Sequence, residues 1–202
     1  MEKFHKLISV VFHPILLPVA ATLVFFMLNN HGIERSIQFK IIFMIAIGTY
    51  IVPILMLFIL KRRNLIQSLE VKTINERKIP VIFMTILFFI LGKAFTNIPN
   101  LLFLSQLFLG CSLALSIAYF LFIKKLKISL HMCGMASFIA FAMAYSIESQ
   151  VNITHFLAVL FTLAGIVANA RIKLQEHSIN EIIYGFATGF ATQFLVFGIL
   201  WI

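Results

Sequence analysis

The chain contains no aspartate: its seven acidic residues are all glutamate, set against sixteen lysines and arginines in 202 residues. A mechanism that needs an Asp pair, an Asp-based calcium loop or a Walker-type magnesium Asp is therefore excluded, and acid–base chemistry falls to Glu or His. Cysteine is scarce as well. Cys111 and Cys133 both fall inside apolar runs and have no metal-ligand spacing to each other, which argues against a disulfide framework. Charge of either sign is thin, at 11% of residues, where a soluble domain carries about 25%.

Hydrophobic residues make up 61% of the chain, and the mean hydropathy is +1.05. A body of this size cannot bury that much apolar surface away from water, so the solvent is lipid. Lipid admits only helices or a closed barrel. Barrel strands alternate apolar and polar residues, whereas this sequence has unbroken apolar runs such as IIFMIAIGTYIVPILMLFIL. The expectation is an all-α, polytopic integral membrane bundle of six to seven transmembrane helices, forming one domain over 1–202.

Seven stretches are apolar enough to cross roughly 30 Å of hydrocarbon: 7–28, 41–60, 80–96, 101–123, 130–147, 155–170 and 182–202. Lys93 interrupts the third, near enough to its end to snorkel. The first follows MEKFHK and holds Pro14 and Pro18 with no small-residue cleavage site, so it reads as a retained span and not a signal peptide. Alternating spans gather thirteen of the sixteen Lys and Arg on one side, leaving Arg35, Lys40 and Lys93 on the other. The positive-inside rule makes the thirteen-residue side cytoplasmic. No basic segment has the aromatic interleaving of a nucleic-acid binder, so anionic lipid headgroups are the expected partners of this charge. A short repeat, GFATGFAT at 185–192, reads as a small-residue seam for close helix packing.

The polar residues that loops do not explain fall in three segments on the basic side: LEVKTINERKIP at 69–80, KISLH at 127–131 and ARIKLQEHSINE at 170–181. His177 and Glu181 are four apart, one helical turn, so the carboxylate can hold one imidazole nitrogen as N–H and leave the other free. That is the arrangement of an activated nucleophile or base with its orienter. The plainer alternative is an interfacial pair at a helix start capped by Ser178 or Asn180. Arg171, His131 and Arg77 on the same side point to an anion site, since guanidinium groups repel metal ions and match phosphate forks.

Arg171-x5-His177-x3-Glu181 resembles the third motif of the type 2 phosphatidic acid phosphatase superfamily, Ser-Arg-x5-His-x3-Asp, with Ala170 for the Ser and Glu181 for the Asp. Ile128, Ser129, Leu130 and His131 resemble its Pro-Ser-Gly-His motif, with Leu130 for the Gly. Lys72, Arg77 and Pro80 loosely match its Lys-x6-Arg-Pro motif. The resemblance covers about 110 residues, from 70 to 181. It implies that His177 is the nucleophile, forming a phosphohistidine, with Glu181 orienting it and His131 as general acid. It further implies that Arg171, Arg77, Lys72 and Ser129 hold the phosphate oxygens, that neither metal nor cofactor is needed, and that the substrate is a lipid phosphate in the bacterial inner membrane. Two other classes are set beside it: a small transporter whose basic cluster binds an anion without chemistry, and a non-catalytic membrane-assembly subunit.

Overall fold

The computed structural model describes residues 2–28, 32–69, 71 and 73–200. It is all-helical, with eight helices and no strand among the described residues: α1 (Glu2–Val11), α2 (Leu17–Leu28), α3 (Arg35–Arg62), α4 (Ile74–Thr96), α5 (Leu102–Ile123), α6 (Leu130–Ser149), α7 (Thr154–Lys173) and α8 (Ile179–Leu200). Six of them, α3 to α8, are long and apolar enough to cross a membrane. The protein is an integral membrane helical bundle.

The first expected span, 7–28, is broken. Pro14 has no N–H to give a helix, and its ring disfavours helical backbone at His13. The chain turns instead, with Leu16 N–H donating to the His13 carbonyl at 2.8 Å, and restarts as the twelve-residue α2. A second proline, Pro53, lies inside α3, and the helix widens into a π-turn at Ile47–Ile51 just before it. That turn lets the ladder pass a residue that cannot donate.

α4 begins earlier than its apolar run. Thr73 and Glu76 form a capping box: Glu76 N–H donates to Thr73 Oγ1 at 3.3 Å, and Thr73 N–H to Glu76 Oε2 at 3.2 Å. Two otherwise orphaned donors are satisfied, so the helix starts at Ile74 and carries Arg77 in its first turn. Lys93, near the other end, is exposed.

α6 is the most buried of the long helices, and α2, α5, α7 and α8 pack around it. Its contact with α8 is backbone against backbone. A Cβ on Gly185 would sit 2.4 Å from the Ser129 carbonyl oxygen, and one on Gly189 would sit 2.1 Å from that of Cys133. The two glycines of the repeat are therefore the seam, while its alanines, Ala187 and Ala191, face outward. Toward the other end of α8, Gln193 Nε2 donates to the Gln106 carbonyl of α5 at 3.0 Å. Beyond it, Tyr145, Phe25, Phe103, Phe141 and Phe197 form an aromatic cluster, with ring centroids as close as 4.9 Å.

Replacing Gly189 by Ala pushes a methyl into main chain that has no rotamer to yield. The expected loss is about 1–3 kcal/mol, the usual range for overpacking. Gly165→Ala, where the added methyl meets nothing within 4 Å, is expected to be neutral. Unfolding of the two variants side by side in detergent micelles checks this.

Candidate functional site

Three helix ends and one loop meet at the basic end of the bundle. Arg77 comes from the first turn of α4, His131 from that of α6 and Arg171 from the last turn of α7. His177 comes from the α7–α8 loop. All four are buried, each no more than 8% exposed, an unusual state for two guanidinium groups.

The loop is held from both sides. Glu176 N–H donates to the Arg171 carbonyl at 3.1 Å, and Lys127 Nζ donates to the Glu176 carbonyl at 2.7 Å. Ser178 caps α8, its Oγ accepting from Glu181 N–H at 3.3 Å. His177 thus sits one residue before the cap, and the expected shared helical face is replaced by a shared cap. The pairing survives: His177 Nδ1 donates to Glu181 Oε2 at 2.5 Å, and Lys127 Nζ lies 3.8 Å from the same oxygen. No hydrogen bond to His177 Nε2 is present among the described residues.

Burial and then the positive charges of Arg77, Lys127 and Arg171 hold the His177 imidazole well below its ordinary range, at about 3. At neutral pH the ring is uncharged, its proton is on Nδ1 toward Glu181, and Nε2 carries a lone pair. Arg171 Nη2 lies 3.7 Å from Glu176 Oε2, and its Nη1 donates to Ser9 Oγ of α1 at 2.6 Å. Arg77 Nε donates to the Val71 carbonyl at 2.9 Å.

Arg77, His131, Arg171 and His177, with His13, line one end of a cavity of about 200 Å³. Its walls continue inward as Met84, Phe88, Leu107 and Phe138. Measured along α4 from Arg77 to Phe88 it reaches about 16 Å inward at 1.5 Å per residue, roughly one leaflet of hydrocarbon. The polar end offers buried cations and three imidazoles; the rest is lined mainly by apolar side chains.

Of the residues expected from sequence, His177, His131, Arg171 and Arg77 converge on this cavity, and Glu181 is bonded to His177 behind it. Ser129 is fully buried, does not line the cavity, and turns its hydroxyl to Met132 N–H at 3.4 Å as the cap of α6. Lys72 lies outside the described residues. Two groups at the site were not singled out by role: Lys127, whose position in KISLH was the signal, and Ser9, whose burial in α1 has no local signature. Among the described residues no group of three or more His, Cys or Glu side chains could hold a metal ion.

Comparison with family models, with curated proteins and with solved structures finds no match to this chain.

The lowered His177 value ties stability to pH. An unfolded chain protonates this histidine near 6.5, while the folded protein keeps it neutral to about 3. Between those values the unfolded state binds the extra proton, so this contribution to stability is lost as pH falls. Unfolding midpoints in detergent, taken from neutral pH down to about pH 4, should fall less steeply for His177→Gln than for the wild type.

Proposed function

We propose that the protein is an integral membrane lipid phosphatase that works through a phosphohistidine, as its resemblance to the type 2 phosphatidic acid phosphatase superfamily implies. The observation that carries this reading is the His177 imidazole. It is uncharged, oriented by Glu181, open at Nε2, and set beside buried Arg77 and Arg171 at the polar mouth of an apolar cavity.

The chemistry follows from that arrangement. The lipid phosphate enters with its hydrocarbon along the cavity and its phosphorus facing His177. Nε2 attacks phosphorus, the bond from phosphorus to the lipid oxygen breaks, and protonated His131 gives its proton to the departing alkoxide. Arg171 and Arg77 neutralise the non-bridging oxygens throughout, which is most of what phosphoryl transfer asks of a protein. Water then attacks the phosphohistidine and loses a proton to His131, and the N–P bond breaks to release inorganic phosphate. His131 ends the cycle protonated, as it began.

An apolar slot continuous with the cationic mouth supports a lipid over a water-soluble ester, because only a substrate with a hydrocarbon tail gains from filling it. We further propose the bacterial inner membrane as its location, with the site at the membrane edge.

Purified protein in mixed micelles should release phosphate from a panel of radiolabelled lipid phosphates. His177→Ala should fall to background, because nothing replaces the attacking nitrogen. Arg171→Ala should lose about 10²–10³-fold in kcat, the scale of removing one transition-state donor. Wild-type turnover that His177→Ala retains, or turnover abolished by EDTA, would sink the phosphohistidine reading. An anion flux into liposomes without hydrolysis would support a transporter instead.

A further inference from the structure

α1 packs on the bundle through Ile8 and keeps its charged residues, Glu2, Lys3 and Lys6, exposed. Phe4, Leu7, Val10 and Val11 are more than half exposed on its outer side, while Ser9 is buried at 8%. At a membrane edge such exposed apolar residues meet lipid. The inward side of α1 delivers one polar residue to the site. The Ser9 main-chain oxygen lies 3.1 Å from His131 Nε2, its hydroxyl oxygen lies 3.4 Å from the same nitrogen, and that hydroxyl accepts from Arg171 Nη1 at 2.6 Å.

We infer that Ser9 is a positioning residue of this site: its carbonyl fixes the proton of His131 on Nε2 and aims Nδ1 at the substrate, while its hydroxyl holds the Arg171 fork.

A carbonyl oxygen only accepts, so the nitrogen facing it at 3.1 Å must carry hydrogen. Which imidazole nitrogen exchanges protons is decided by the bond the other one makes. With Nε2 committed to Ser9, the proton given to the alkoxide and later taken from water moves through Nδ1. No hydrogen bond to Nδ1 is present among the described residues, and His131 lines the cavity. The two histidines are then treated alike: Glu181 commits His177 Nδ1 and frees Nε2, and Ser9 commits His131 Nε2 and frees Nδ1. One side chain and its own main chain also link the acid to the phosphate-holding arginine, so their spacing is fixed by a single residue. His13, whose ring stacks edge-on to His131 at 5.2 Å between centroids, closes the remaining side.

This inference rests on the lipid phosphatase reading for its kinetic consequence, but not for its structural one. The chain, nitrogen-15 labelled at histidine in detergent micelles, compared with His131→Gln for assignment and titrated until His131 loses its charge, should show hydrogen on Nε2 in that neutral form. Hydrogen on Nδ1 in the neutral form overturns the inference whether or not the protein is an enzyme.

In the kinetic arm, Ser9→Ala should lower kcat about tenfold, by analogy with the lower end of the range for partners that orient metal-bound histidines, with KM changed less than about twofold. Ser9→Thr, which restores a hydroxyl, should recover most of that loss. Equal kcat in wild type and Ser9→Ala, or equal loss in the Ala and Thr variants, overturns the role of the hydroxyl. If the wild type hydrolyses no lipid phosphate, the phosphatase reading fails by itself, and the tautomer still decides whether Ser9 orients His131.

Discussion

Everything at the basic end of this bundle depends on two main chains touching. Gly185 and Gly189 let α8 lie directly on the first turns of α6, at distances no Cβ would permit. The approach is close enough for Ser129 N–H to donate to the Glu181 carbonyl at 3.0 Å, which ties the start of one helix to the start of the other. His131 follows Ser129 by two residues, and His177 is bonded to the side chain of Glu181. The distance between the two imidazoles is thus set by the packing of two backbones. In a membrane, where the hydrophobic effect does not press helices together, such contacts are the main available means of fixing helices closely.

The electrostatics follow from the same crowding. Three cations, Arg77, Lys127 and Arg171, surround a buried imidazole whose one anionic partner, Glu181, is shared with Lys127. The balance is positive, so the ring stays neutral and the polar end of the cavity favours an anion. A site of opposite composition, with more carboxylate, would protonate the histidine and remove its lone pair. Low local dielectric at the membrane edge strengthens each of these interactions relative to water.

The long helices were legible because lipid leaves the backbone no alternative, and the spacing of Arg171, His177 and Glu181 was legible because one helical turn relates two of them. Boundaries were less so. A rule that ends a span at its first charge starts α4 at 80, whereas the capping box carries it back to Ile74 with Arg77 inside. The run at 7–28 looked continuous because its composition outweighed Pro14, yet one missing N–H broke it. Ser129 matched a pattern by position, but a serine just before a helix is claimed first by the helix as its cap. Ser9 could not be read at all: its partners are 122 and 162 residues away, and only folding brings them together.

The bond between Gln193 and the Gln106 carbonyl lies twelve residues along α8 from Glu181, about 18 Å at 1.5 Å per residue. Gly110 leaves the space for that amide, since a Cβ there would meet Gln193 Oε1 at 2.2 Å. α8 is consequently held at its start and again past its middle, so it is not a cantilever. Its twist about its own axis is set in one leaflet and felt in the other, so the angle at which Glu181 presents its carboxylate is governed partly by an amide in the opposite leaflet.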